Sequence, residues 1–529
     1  MLARVRSVAN VGLEGVPVEV EVDVAARGFP GLTIVGLPSK AVEEARERVK
    51  TAIVNTGAHF PQKKVTINLA PADLPKEGAA YDLPIAVGIL AASGQISDQW
   101  LAANDQNIFY GELGLDGGLR HTRGVLLVAL EATKLKIKNA KRKIFVPKLS
   151  ANEAAVVEGV EVYPVRNLQE LIEHIGGVRE IKRIKKIEVN QLVEDAEAEF
   201  DLAEVVGQEQ AKRAMMIAAA GGHNVLMSGP PGAGKTMLSR AMPGILPLMD
   251  GEEAVAVTRI YSVAGLLLPG EAVVRRRPFR SPHHSTSLVG LIGGGSKPAP
   301  GEVSLAHLGV LFLDEMAEFP RSVLEALRQP MEDGVVTVSR AAGRVEYPAA
   351  FMLVAAVNPC PCGFLGHPRR ECRCTPRQIQ RYRRRISGPI LDRIDLLVNV
   401  PAVEAEKLTT IRGVAAQHLG GGRMDSSEVK NSKQIREEVI KARTIQRQRF
   451  GPGSIYTNAQ MKNKQVKEWC KLDAESNRLL KLAIEKYDLS ARGYFRLLKV
   501  GRTIADLAGE EEIRSSHVAE ALQYRLRVF

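Results

Sequence analysis

The stretch NVLMSGPPGAGKTMLSRAM, residues 224–242, constrains this chain more than any other. Gly229, Pro230, Pro231, Gly232, Ala233, Gly234, Lys235 and Thr236 form the pattern Gly-x4-Gly-Lys-Thr. They sit between an apolar run that reads as a strand and a run that reads as a helix. Glycines let a backbone turn its N–H groups onto phosphate oxygens, and the following helix adds the positive end of its dipole. Lys235 is expected to reach the β- and γ-phosphates of ATP, and the Thr236 hydroxyl to ligate Mg²⁺.

A second segment, GVLFLDEM, ends an apolar run in Asp314 and Glu315. A buried strand ending in two acids beside a triphosphate suits a metal carboxylate (Asp314) and a base that polarises the attacking water (Glu315). The next apolar run, FMLVAAVNP, ends in Asn358, a polar group placed to position that water. Together these segments predict ATP hydrolysis.

The chain has 529 residues, 45% of them hydrophobic, enough for several domains each with its own core. Strand-like and helix-like runs alternate over 1–177, predicting an α/β domain. The charged stretch 178–200 reads as a linker, helical in part. An α/β block follows over 201–400, and 401–529 has helical spacing almost throughout. The net charge of +12 favours a polyanionic partner. The longest apolar run, around LPIAVGILAA, is too short to span a bilayer, and the N-terminus has no apolar signal core. A cytoplasmic, reducing location with no membrane partner is expected. There, clustered cysteines are more often metal or redox sites than disulfides.

Four of the five cysteines fall in NPCPCGFLGHPRRECRC. Cys360, Cys362, Cys372 and Cys374 form two Cys-x-Cys pairs, a donor set suited to a closed tetrahedral Zn²⁺ site. An iron–sulfur cluster or a redox pair remains open. His367 lies between the pairs. Eight arginines from Arg369 to Arg385 surround them, opposed only by Glu371, which suggests phosphate-backbone contact. On this reading, metal loss weakens DNA binding more than nucleotide binding.

The strand-end pattern resembles the AAA+ ATPases, in which the residue matching Asn358 is the first sensor. SGPILDRIDLLV resembles a segment of the magnesium-chelatase and replicative-helicase branch. There the arginine matching Arg393 enters a neighbouring subunit's ATP site, which implies a homo-hexameric ring. The bland alternative is that Arg393 only bridges Asp392 and Asp395. SARGYFRLLKVGRTIADLA resembles the second-sensor helix, with Arg492 the best match and Arg496 the fallback. Two loops match pore-facing inserts of that branch, making Lys297, Arg340 and Arg344 candidate DNA contacts. GVVTVSRAAGRVEYPA reads as a hairpin.

LAPADLPKEGAAYDLPIAVGIL resembles the nucleophile loop of Lon-type proteases, but Ala80 stands where those enzymes have serine. No Ser or Thr occurs between Thr66 and Ser93, and no lysine between Lys76 and Lys134. A Ser–Lys dyad needs both groups, so the domain is expected to be Lon-protease-like in fold and to lack the dyad. The whole order is a Lon-protease-like α/β domain, an AAA+ P-loop ATPase core, a Cys-x-Cys insertion and a C-terminal α-helical lid. With SPHHSTSLVGLIGGG, NPCPCG and GRTIADLAGEEEI, it resembles the YifB/ComM family of magnesium-chelatase-like proteins. That resemblance implies an ATP-driven hexameric motor that migrates branched DNA junctions, with recombination proteins as partners, and that supports uptake of transforming DNA. The alternative is a chelatase-type motor that remodels a partner protein.

Overall fold

The computed structural model describes the chain except residues 1, 28, 38, 75, 77, 98, 101–104, 135–141, 194–198, 296–297, 341–342, 404–429, 452–454, 488 and 526–529. The N-terminal part is a seven-stranded sheet. Its strands are β1 (Leu2–Val11), β2 (Glu14–Val24), β3 (Gly31–Val35), β4 (Lys64–Ala70), β5 (Ile108–Phe109), β6 (Arg142–Pro147) and β7 (Val160–Val165). They lie in the order β3-β4-β2-β1-β5-β6-β7. In β4 every second side chain is buried, the period of a sheet with one covered face. Covering that face are α1 (Ala45–Asn55) and α2 (Asp82–Ala92), while α3 (Val125–Lys134) packs on the opposite face with Val8, Ile108 and Val146. Every residue of α2, DLPIAVGILAA, is buried, so the longest apolar run of the chain is a core helix. A Cβ on Gly88 would come 2.6 Å from Val22 Cγ2, which is why glycine stands where this helix crosses the sheet.

The charged segment 178–200, expected as a linker helical in part, is described except for residues 194–198. Ile181, Ile184 and Ile187 recur at helical spacing, yet residues 180–188 hold no helix. The Ile184 N–H donates to Val162 O and the Ile187 N–H to Ala155 O, so the backbone pairs with the N-terminal part instead of with itself. A 3₁₀ turn at Val189–Gln191 follows.

The central part holds β8 (Val225–Ser228), β9 (Phe279–Arg280), β10 (Val310–Leu313), β11 (Val335–Arg340), β12 (Gly343–Pro348), β13 (Met352–Val357) and β14 (Leu396–Asn399). Five of these form one sheet in the order β9-β10-β13-β8-β14, with every pairing parallel. Strands β8, β10 and β13 are buried at every residue, because a parallel sheet is covered on both faces. β8 comes first in the chain but lies between β13 and β14. The strand order therefore reverses beside it and leaves a crevice at the carboxyl ends. β11 and β12 pair as the expected antiparallel hairpin. This hairpin meets the N-terminal part, where a Cβ on Gly12 would come 2.4 Å from Val345 Cγ1.

Around this sheet lie α4 (Glu209–Gly221), α5 (Lys235–Ile245), α6 (Gly251–Ala264) and α7 (Pro376–Arg383), followed by α8 (Ser432–Phe450), α9 (Ala474–Tyr487), α10 (Ala491–Ala508) and α11 (Ser515–Gln523). Helix α6 receives the N-terminal part: the Gly124 N–H donates to Ser262 Oγ and Arg259 Nη2 to Leu13 O. Helix α8 holds the ends of two others. Arg436 donates to Gly244 O of α5, and Arg443 to Ala219 O of α4, placing cations at helix C-termini where the dipole favours them. Among the described residues no helix is long and apolar enough to cross a membrane.

Asp395, just ahead of β14, ties the sheet to α10. It accepts from Arg496 Nη1 at 2.5 Å, from the Asn224 N–H at 3.1 Å and from His223 Nδ1 at 3.3 Å. Burial would raise this carboxyl, but Arg496 and His223 outweigh it and hold it below the ordinary carboxylate range. Asp395→Ala leaves Arg496 without its acid partner and should cost about 3–5 kcal/mol of stability. Guanidinium chloride unfolding checks this, and a loss under about 1 kcal/mol would contradict it.

Candidate functional site

The loop after β8 opens onto a cavity of about 320 Å³ at the carboxyl edge of the central sheet, lined by Pro231 to Met237, Asp314, Glu315, Ala356, Val357 and Asn358. Two glycines make the loop possible. A Cβ on Gly229 would fall 2.1 Å from Val400 O, and Gly232 has φ +77°, in the left-handed region that glycine enters without a steric cost. Helix α5 begins at Lys235 and aims its N-terminus at the cavity.

Lys235 is buried. Its Nζ donates to Gly229 O at 2.6 Å, Pro230 O at 3.0 Å and Asn358 Oδ1 at 3.2 Å. Burial lowers its ammonium to about 8, against the opposing pull of Asp314 and Glu315. Thr236 Oγ1 donates to Asp314 Oδ2 at 3.0 Å, so a hydroxyl and a carboxylate share one side of the cavity, as an Mg²⁺ ligand pair must. Glu315 is exposed and sits at φ +49°, a left-handed backbone for a residue that is not glycine. Such strain costs about 1–3 kcal/mol and clusters at functional sites. The five residues expected from three separate segments are therefore brought together.

Arg393 and Arg492 do not line this cavity. Arg393 is 8% exposed. Its Nη2 pairs with Glu332 Oε1 at 2.6 Å and its Nη1 donates to Pro389 O at 2.6 Å. Arg492 approaches the same Glu332 oxygen at 3.8 Å. The simple alternative, a bridge from Arg393 to Asp392 and Asp395, does not occur, since Asp395 is taken by Arg496. Arg496, the fallback for the second sensor, does not line the cavity either. Glu332 gave no signal in the sequence, being one of two adjacent acids on a short helix, Arg328–Asp333.

The four cysteines do converge. Cys360 Sγ lies 3.4 Å from Cys362 Sγ and 3.6 Å from Cys372 Sγ, and the latter two are 3.6 Å apart. With Cys374, all four sulfurs fall within 4.8 Å of one another. A disulfide needs about 2 Å, whereas tetrahedral Zn–S bonds of about 2.3 Å put sulfurs about 3.8 Å apart. The donor set fits Zn²⁺. Backbone N–H groups, that of Phe364 first, draw the Cys362 thiol below the ordinary cysteine value. His367 is not in the cluster: its Nδ1 accepts from the N–H groups of Arg369 and Arg370. Among the eight arginines, all but Arg383 are exposed. Helix α7 carries Arg377, Arg381 and Arg383, and its buried Tyr382 meets the Asn358 backbone.

Of the three loop residues expected to face DNA, Lys297 lies outside the described residues. Arg340 ends β11, opposite Gly343. Arg344 is exposed and pairs with Glu346 at 2.8 Å.

Residues 201–408 match the family described as "Magnesium chelatase, subunit ChlI". Residues 20–150 match "Subunit ChlI of Mg-chelatase", and 429–525 match "Magnesium chelatase, subunit ChlI C-terminal". The chain is 44% identical to the competence protein ComM of Haemophilus influenzae over 528 residues, covering 100% of this chain and 98% of that protein. It is 42% identical to the uncharacterized protein YifB of Escherichia coli over 527 residues, 99% and 97% of the two chains. Similarity to the magnesium-chelatase 67 kDa subunit of Chlorobaculum tepidum is narrower: 29% identity over 164 residues, 30% of this chain and 23% of that protein.

Proposed function

The chain belongs to the YifB/ComM family of magnesium-chelatase-like AAA+ proteins, and from that premise we infer that it is an ATP-driven, hexameric DNA motor that migrates branched junctions during recombination and supports integration of transforming DNA. One observation carries this reading. Lys235, Thr236, Asp314, Glu315 and Asn358 line a single cavity in a chain similar from end to end to a competence protein.

In this mechanism Lys235 exchanges the Gly229 and Pro230 carbonyls for phosphate oxygens. Thr236 and Asp314 hold the Mg²⁺ that accompanies ATP and neutralises charge on its phosphates. Glu315, exposed at the cavity, orients the attacking water, and Asn358 fixes that water from the neighbouring strand end. Arg393 of an adjacent subunit stabilises charge on the transferring phosphoryl group. The N-terminal domain is Lon-like in fold, and Ala80, 6% exposed and packed with Val8, Ile108 and Tyr110, leaves it without a nucleophile. It serves assembly or substrate handling. The four cysteines hold Zn²⁺, and the exposed arginines beside them, with Lys297, Arg340 and Arg344, meet the DNA backbone. DNA added to the purified protein should stimulate ATP turnover severalfold. Turnover indifferent to single-stranded, duplex and branched DNA would instead favour the remodelling of a partner protein.

Lys235 gives the nucleotide site a pH signature. Its ammonium is lowered to about 8 in the free protein, and phosphate contact favours the charged form, so its pKa rises on binding. Nucleotide affinity is therefore expected to hold below pH 8 and to fall above it, approaching about tenfold per pH unit. Lys235→Arg, charged throughout, should lose this dependence. Calorimetric titration between about pH 7.5 and 9.5 compares the two; the same decline in both would contradict the assignment.

A further inference from the structure

The cysteine knuckle reaches the nucleotide site first through its opening turn. The Gly363 N–H donates to Cys360 O at 2.9 Å, closing a turn over Pro361 and Cys362, so two of the four sulfurs belong to the turn itself. Gly363 is buried and has φ +80°. A Cβ there would stand 2.6 Å from Pro231 Cδ and 2.8 Å from Pro231 Cγ, which means the turn lies directly on the ring of Pro231. Pro231 is the crown of the phosphate loop. Its neighbour Gly232 has nothing within 4 Å of where a Cβ would point, whereas Gly229 below is fixed against Val400 and by its N–H on Val357 O. The base of the loop is held by the sheet and its crown by the knuckle.

The knuckle touches the cavity at its other end as well. Cys360 follows two residues after Asn358, whose Oδ1 accepts from Lys235, and Tyr382 of α7 meets the Asn358 backbone. Between these ends the chain is held by short-range contacts, His367 accepting from the Arg369 and Arg370 N–H groups and Phe364 meeting His367 and Arg370. Pro361, Gly366, Pro368, Arg369, Arg370, Glu371 and Arg373 are all exposed. No helix or strand occurs from 359 to 375. What gathers both pairs into one body is the four-sulfur cluster.

We propose that the four-cysteine knuckle is a metal-dependent brace on the phosphate loop, so that occupancy by Zn²⁺ sets nucleotide affinity. The inference rests on the ATP and zinc readings above and reverses one expectation from the sequence: metal loss acts on nucleotide binding first. With the sulfurs gathered, the Cys360–Gly363 turn stays seated on Pro231. Without the metal the turn relaxes, and a loop crown displaced by about 1 Å loses much of its fit to phosphate oxygens.

The test uses the full-length protein and a fluorescent, non-hydrolysable ATP analogue with Mg²⁺. Zinc is released by a mercurial with a chelator, the sulfurs are restored with thiol, and half of the sample is reloaded with Zn²⁺. The expected result is a nucleotide Kd weakened about tenfold or more on metal release and recovered on reloading. Gly363→Ala supplies a second arm that removes no sulfur: compared at one equivalent of bound zinc, it should bind nucleotide about tenfold more weakly. Protein holding one equivalent of zinc, whose nucleotide Kd stays within twofold after release and in Gly363→Ala, overturns the brace alone. Protein that carries no metal as purified yet binds nucleotide tightly overturns the zinc reading together with the brace.

Discussion

Lys235→Ala is expected to reduce ATP turnover by about two to three orders of magnitude, the usual cost of removing one preorganised donor from a charge-developing site. Lys235 is the only cation lining the cavity among the described residues. Its three present partners are all acceptors, so it sits poised to trade neutral carbonyls for phosphate oxygens. The variant leaves Thr236 and Asp314 in place, and α5 still begins at the same residue. Its loss should therefore fall mainly on turnover and nucleotide affinity, with little change in the thermal midpoint of the free protein. Retained turnover would mean that the nucleotide site lies elsewhere.

Arg393→Ala should have an effect as large or larger, about a thousandfold on turnover, because an arginine brought to the phosphoryl group from a neighbouring subunit contributes at that scale. Within one chain Arg393 is buried against Glu332 and the Pro389 carbonyl, away from its own cavity. Arg492 shares that acid. Both arginines lie outside this chain's own cavity, and the proposed function assigns Arg393 to the cavity of another copy. Nucleotide binding by the variant should be nearly normal. Mixing supplies the decisive control: in rings assembled from Arg393→Ala and Lys235→Ala subunits, some sites combine an intact Lys235 with a neighbour's intact Arg393. Turnover should recover to a sizeable fraction of wild type. Mixed rings as inactive as either parent would remove Arg393 from the mechanism.

What the sequence disclosed and what it withheld follow one physical distinction. Gly229 to Thr236, Asp314, Glu315 and Asn358 were legible because each lies in a contiguous pattern at the end of a mainly apolar strand. A parallel sheet brings such ends to one edge. The cysteine set was legible for a similar reason, since two close pairs bring four sulfurs within 4.8 Å of one another. The hairpin at residues 335–348 announced itself by β-branched residues flanking Arg340 and Arg344. By contrast, the isoleucines at 181, 184 and 187 carried helical spacing, but hydrogen bonds from their segment to Val162 and Ala155 decided the backbone. Basic residues at helical spacing in α10 could not reveal that Arg496 is claimed by Asp395 while Arg492 remains exposed. The Glu332 pairing and the seat of Gly363 on Pro231 are contacts between distant segments, and no local pattern encodes either of them.

The central claim is that ATP hydrolysis at this cavity drives movement on branched DNA. The measurement that tests it most directly is dissociation of a synthetic four-way junction, with ATP and Mg²⁺, by the wild-type protein and by Lys235→Ala. The account predicts that the wild-type protein resolves the junction into duplex arms and that Lys235→Ala does not, while both still bind the DNA. A wild-type protein that turns over ATP yet leaves the junction intact would contradict it.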